Sequence, residues 1–182
     1  MINEKTVEAV FAGGCFWCTE AVFKRLKGVV RTEPGYTGGQ IKNPAYREVC
    51  SGRTGHAEAI RITYDPEKVG FGDLLEVFFA THDPTTLNRQ GNDAGTQYRS
   101  AVFYRDEAQK QQALDFIRSL EEQKAFNDPI VTEVTEAGPF YPAEEEHMDY
   151  YDRNESQPYC QVIISPKLQK LHHLYKDKLR EA

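Results

Sequence analysis

Residues 7–12 form a short, mainly apolar run of strand length, and residues 19–27 follow with apolar positions at helical spacing through Val22, Phe23 and Leu26. Gly28 stops that helix, and residues 29–32 resume as a strand. Alternation returns over 57–64, where Ile60, Ile62 and Tyr64 point one way while Ala59, Arg61 and Thr63 point the other. Glu58 falls on the apolar parity of this strand. Either the register is wrong there, or a carboxylate faces the core as a functional acid. Asp65-Pro66 closes the strand, and residues 71–80 read as a helix burying Leu74, Leu75, Phe78 and Phe79. A strand over 98–105, a helix from 106 to about 125 opened by acidic residues, and a strand over 130–135 complete the regular part.

The order strand, helix, strand, strand, helix, strand predicts an α+β chain of the ferredoxin-like split βαβ kind. It is a two-layer sandwich: a mainly antiparallel sheet with helices on one face. Residues 1–182 read as a single domain, with a C-terminal tail from about 154. Two long loops interrupt it, at 34–55 and 83–95. Loops of that length in a compact domain are functional or disordered, and Tyr36 and Tyr46 in the first argue against disorder. From Ser165 onward the chain is locally basic, with Lys167, Lys170, Lys176, Lys178 and Arg180. Leu168, Leu171 and Leu174 recur there at helical spacing, which predicts a packed amphipathic terminal helix.

Composition narrows the class. The chain has 182 residues, 40% hydrophobic and 27% charged, as in an ordinary globular domain. A net charge of −6 argues against nucleic-acid binding, which needs a basic surface. No stretch approaches the ~20 apolar residues of a membrane span. Met1-Ile2-Asn3-Glu4-Lys5 begins no signal-peptide core, so the expected location is the cytoplasm. Four scattered cysteines suit a reducing compartment, where thiols are catalytic more often than structural. Nothing in the sequence points beyond a monomer.

The candidate chemistry centres on Cys15, in the run Gly13-Gly14-Cys15-Phe16-Trp17-Cys18 between the first strand and the first helix. Free N–H groups and the dipole at a helix start favour a thiolate, lowering the pKa below the roughly 8.5 of a free cysteine. A buried, inert cysteine is the bland alternative. The Cys15/Cys18 spacing also suits a metal knuckle or a redox pair, but zinc needs four ligands, and Cys50 and Cys160 stand alone, so no metal is expected. Residues 43–58 carry Tyr46 and Glu58, and residues 89–98 carry Asp93 and Tyr98. Gathered around Cys15, they would set a thiolate beside a carboxylic acid kept protonated by burial and two neutral hydroxyl donors. Such a site suits attack on an atom whose attached oxygen must be protonated as charge builds on it.

Gly-Gly-Cys-Phe-Trp at 13–17, Gly-Tyr-Thr-Gly-Gly at 35–39, Tyr-Arg-Glu-Val-Cys-Ser-Gly at 46–52, Gly-His-Ala-Glu at 55–58 and Arg-Gln-Gly-Asn-Asp-Ala-Gly-Thr-Gln-Tyr-Arg-Ser at 89–100 resemble the peptide methionine sulfoxide reductase A family. The resemblance runs in order from about Val7 to Cys160. It implies a peptide-methionine (S)-S-oxide reductase in which Cys15 attacks the sulfoxide sulfur and is left as a sulfenic acid. By the same resemblance, Glu58 protonates the sulfoxide oxygen, Tyr46 and Tyr98 hydrogen-bond it, Asp93 organises the site, and Phe16 and Trp17 form the pocket for the substrate methyl group. Oxidised proteins and methionine sulfoxide are the implied substrates, with no cofactor beyond thioredoxin or another dithiol as reductant. His56, His82 and His147 are read as packing residues, and Cys50 as structural.

A second thiol must resolve the sulfenic acid. Cys160 sits where many members carry a resolving cysteine in a mobile tail, and Cys18 is the alternative. Pro158 and the apolar run Val162-Ile163-Ile164 around Cys160 depart from the usual glycine-rich tail, which weakens the case for mobility. Two other function classes stay open on sequence: a generic thiol–disulfide oxidoreductase using Cys15 and Cys18, and a non-catalytic metal- or protein-binding module.

Overall fold

The computed structural model describes residues 5–180; Met1-Ile2-Asn3-Glu4, on which the leader reading mostly rests, lies outside them. In chain order the elements are β1 (Val7–Gly13), α1 (Phe16–Phe23), β2 (Val29–Thr37), α2 (Tyr46–Cys50), β3 (Ala57–Tyr64) and α3 (Phe71–Thr81). Then come β4 (Arg89–Gln90), β5 (Asp93–Ala94), β6 (Ser100–Tyr104), α4 (Glu107–Glu122), β7 (Glu133–Glu136), β8 (Tyr141–Pro142), α5 (Tyr150–Arg153) and α6 (Ser165–Tyr175).

The main sheet has the order β7-β6-β1-β3-β2-β8. Its four inner strands, β6-β1-β3-β2, pair antiparallel, with α1 and α3 supplying the crossovers of a split βαβ unit. β7 adds to one edge, parallel to β6, and β8 adds to the other. On the helical face Phe11, Ile60, Ile62 and Val102 pack against Val22 and Phe23 of α1 and Leu74, Leu75 and Phe78 of α3. Phe11 and Phe78 stack with centroids 4.8 Å apart. Each such side chain contributes about 1.5–3 kcal/mol on burial. The opposite face is covered too: Val10, Ala12, Ala57, Ala59 and Ala101 leave room for the segment carrying Ala137 and Phe140 to lie against the sheet.

Four sequence expectations shift. The first helix begins at Phe16 rather than at residue 19, so Cys15 is its N-cap. The 34–55 loop is shorter than its Pro and Gly content suggests, because β2 continues to Thr37 by pairing with β3, and α2 occupies its later part. The tail is docked. Lys24 bridges Asp149 and Asp152 at 2.6 Å each, and Arg25 reaches Asp152 at 2.8 Å. Cys160 is fully buried in a π-helical turn, Cys160–Ile164, that runs straight into α6. The apolar run after Cys160 explains this correction to the mobile tail, since Ile164 is buried as well. In α6, Leu171 is buried and Leu168 partly so, whereas Leu174 is 51% exposed and Tyr175 takes its place against the core.

Candidate active site

Cys15 sits where β1 ends and α1 begins. Gly14 makes the turn with φ +93°, and a Cβ on it would come within 2.8 Å of the Gln90 side chain, so the loop from β4 to β5 closes directly over the turn. The Cys15 carbonyl accepts from the N–H groups of Cys18 (3.0 Å) and Thr19 (3.4 Å), as an N-cap should. The sulfur does not behave as the sequence suggested. Burial pushes the Cys15 thiol well above its ordinary value, and a hydrogen bond to Cys18 and the charge of Glu58 push the same way, against a pull from the Trp17 N–H. The Cys15–Cys18 hydrogen bond in turn draws Cys18 down to about 7. The thiolate of the resting pair is therefore favoured one turn into the helix.

Glu58 lies on the helical face of β3, as its parity required, and is 1% exposed. Its Oε1 accepts the Phe16 N–H at 3.2 Å, while Oε2 is buried with no hydrogen-bond partner among the described residues. Burial raises its pKa to about 8, so the carboxyl is neutral at pH 7 and Oε2 is able to donate a proton. Tyr46 and Tyr98 are both close enough to feel Glu58 and Cys15; burial and then Glu58 push each phenol above its ordinary value, which keeps both protonated. Cys15, Tyr46, Glu58 and Tyr98 thus converge as the sequence proposed.

Phe16 and Trp17 sit beside that group in different settings. Phe16 is fully buried between Tyr36 and Tyr46. Trp17 is half-buried and stacks on Tyr150 with centroids 3.8 Å apart at 9°. Its indole N–H donates to Nδ1 of His147 at 3.0 Å. Glu144 accepts from the Tyr36 hydroxyl (3.0 Å) and from the Tyr46 N–H (2.9 Å), fixing the start of α2. Sequence reasoning gave no role to Glu144 or Tyr150; the only signal for them was an aromatic and acidic run, Phe-Tyr-Pro-Ala-Glu-Glu-Glu-His-Met-Asp-Tyr at 140–150. Glu144, Glu146 and His147 bring donor atoms within 4.8 Å of one another, but Glu144 and Nδ1 of His147 already hold the contacts just described.

Asp93 meets the tail. Its Oδ2 accepts the Tyr159 hydroxyl at 2.7 Å, and the same oxygen of Tyr159 lies 3.7 Å from Sγ of Cys18. A cavity of ~570 Å³ opens here, lined by Cys15, Cys18, Asp93, Tyr159, Ile163 and Lys167 among others. Cys160 packs in the same apolar cluster as Cys15 and Cys18. His56 is a loop staple, as expected: Nδ1 accepts from the Gly39 N–H (3.0 Å) and Nε2 bonds the Ile41 carbonyl (2.6 Å).

Residues 7–179 match the family model described as "Peptide methionine sulfoxide reductase". The chain belongs to that family. It is 56% identical over 173 residues to the peptide methionine sulfoxide reductase MsrA of Deinococcus radiodurans, covering 95% of this chain and 84% of that one. Among solved structures it is similar to reduced Mxr1 of Saccharomyces cerevisiae, with a TM-score of 0.81 and 32% identity, covering 88% of this chain and 92% of that one. Mxr1 has also been solved in complex with Trx2; that structure shares the fold at a TM-score of 0.58 and 23% identity, covering 82% and 88%. As a member of this family the chain is an enzyme, a thiol-dependent methionine sulfoxide reductase. No helix among the described residues is long and apolar enough to cross a membrane.

Proposed function

We propose that the chain reduces the S epimer of methionine sulfoxide, in proteins and as the free amino acid, with Cys15 as nucleophile and Glu58 as acid. The observation that carries this reading is the Glu58 carboxyl: buried, protonated at neutral pH, and with one oxygen uncommitted beside Cys15. A sulfoxide oxygen placed against Oε2 receives that proton while the Cys15 sulfur attacks the sulfoxide sulfur. The Cys15 proton passes to the Glu58 carboxylate, the S–O bond transfers to Cys15, and methionine leaves with Cys15 as sulfenic acid. Tyr46 and Tyr98, both neutral donors, hold the oxygen as charge builds on it, and Asp93 orders the loop beside them. Phe16 and Trp17 receive the methyl group, and a fixed methyl site opposite a fixed oxygen site admits one epimer at a chiral sulfur.

A second thiol then forms a disulfide with Cys15 and releases water. Cys160 is fully buried in the docked tail, so we assign the step to Cys18, three residues from Cys15 in the first turn of α1. Thioredoxin reduces the disulfide, and the protein works as a monomer in the cytoplasm, with residues 1–182 acting as one unit. A generic thiol–disulfide oxidoreductase would have no use for a buried neutral carboxyl. The test mixes reduced protein with each epimer of a blocked methionine sulfoxide and follows methionine release and thiol loss. Release from the S epimer alone is expected; no turnover of that epimer overturns the reading.

A further inference from the structure

Lys167 has no part in the chemistry above, yet it borders the cysteines on two sides. It projects from α6 in the C-terminal extension and lines the ~570 Å³ cavity with Cys15 and Cys18. It also lines a small void of ~10 Å³ with Cys18, Thr19 and His82. Its side chain is partly buried, and no ion-pair or hydrogen-bond partner holds its ammonium among the described residues. We propose that Lys167 is the counter-ion of the Cys18 thiolate, a positioning residue that makes Cys18 the thiol that captures the Cys15 sulfenic acid.

The groups facing Cys18 are Cys15 from α1, Glu58 from β3, His82 just past α3, Asp93 from β5, Tyr159 and Cys160 from the tail, and Lys167 from α6. Burial lowers the pKa of His82 to about 4 and keeps it neutral, so Lys167 is the one cation among them. Asp93 is the opposing charge, and it is engaged by the Tyr159 hydroxyl at 2.7 Å. Cys18 is drawn down to about 7 first by the hydrogen bond from Cys15 and, against burial, by Lys167 and Tyr159. The backbone suits the step: an N-cap residue and the third residue of its helix lie about 5 Å apart at Cα, inside the range a disulfide spans. The Cys18 thiolate attacks the Cys15 sulfur, an S–S bond forms, the S–O bond breaks, and hydroxide leaves as water with a proton from Glu58. No outside oxidant is needed, because the sulfoxide has already supplied the oxidising equivalent. For that supply the inference rests on the reductase reading above.

The experiment alkylates the reduced protein with iodoacetamide across pH and locates the modified sulfur by tandem mass spectrometry, in the parent and in Lys167→Met and Lys167→Arg. The Met variant is expected to slow Cys18 alkylation at pH 7 by roughly 3- to 10-fold and to move its midpoint upward, and the Arg variant to restore both. An unchanged Cys18 midpoint in a folded Met variant overturns the proposal, and so does failure of Arg to rescue a changed one. This arm uses no sulfoxide, so it decides Lys167 even if methionine release fails. After one turnover on the S-sulfoxide, Cys15–Cys18 should be the first disulfide, and dimedone should trap more sulfenic acid in Lys167→Met. A first disulfide between Cys15 and Cys160 also overturns it.

Discussion

The backbone N–H of Phe16 donates to Oε1 of Glu58 at 3.2 Å, so the first free donor of α1 serves the carboxyl and not the Cys15 sulfur. That bond orients the acid and leaves its other oxygen without a partner among the described residues. Glu58→Gln keeps the shape and an acceptor for Phe16 but has no acidic proton to give. Methionine release in a single turnover should fall by roughly 100-fold or more. The Glu58 proton is lost as pH rises through about 8, so the parent rate should decline above that pH, and the Gln variant should lack this limb. Stopped single-turnover assays across pH check both outcomes.

Trp17 is held from two sides, by the Tyr150 ring at 3.8 Å and by Nδ1 of His147 at 3.0 Å. Stacked pairs of this kind are worth about 0.5–1.5 kcal/mol beyond the area they bury. Trp17→Ala should raise KM for the S-sulfoxide about tenfold, at the upper end of that range, with a smaller effect on kcat. Trp17→Phe should recover most of the loss. Steady-state kinetics with thioredoxin recycling separate the two parameters.

The parity of Glu58 was legible because a strand of alternating residues assigns faces without tertiary information. The motif loops likewise announced Tyr46, Asp93 and Tyr98. The state of Cys15 was not legible. A helix start lowers a thiol pKa only if water or donors reach the sulfur, and here burial and the Cys18 hydrogen bond reverse the sign. The docking of the tail was hidden for a related reason. It depends on Lys24 meeting Asp149 and Asp152, and on Tyr159 meeting Asp93, pairs separated by 125, 128 and 66 positions. No local pattern encodes such distances.

Glu20 predicts a pH effect on stability. It is buried in α1, accepts from the Asp149 N–H at 2.7 Å and from the Thr32 hydroxyl at 3.2 Å, and burial raises its pKa to about 7. The unfolded carboxyl titrates near roughly 4.3. Between that pH and about 7 the folded chain holds a proton that the unfolded chain has lost, so stability falls as pH rises across the window and levels off above it. Glu20→Gln should flatten this slope. Urea unfolding at several pH values between 4.5 and 8 would show whether the curves of parent and variant converge at the acid end.

Gly14→Ala places a methyl group at a backbone with φ +93° and within 2.8 Å of Gln90. The left-handed backbone alone costs about 1–2 kcal/mol. Thermal unfolding should drop by several degrees, and the β4–β5 loop should loosen. Gly72→Ala, where nothing lies within 4 Å, is the control and should leave both unchanged.

The depth at which the sulfurs lie has a further result. Cys15 shows 7% of its surface, Cys18 3% and Cys160 none, while Cys50 is exposed. Cys50 is thus the thiol most open to a peroxide arriving from solvent, and it lies outside the proposed cycle, whereas Cys15 and Cys18 are reached through the cavity they line. The protein works amid oxidants that would carry an open sulfenic acid on to the irreversible sulfinic state. The burial of Cys15 and Cys18 narrows the access of a second oxidant to such an intermediate.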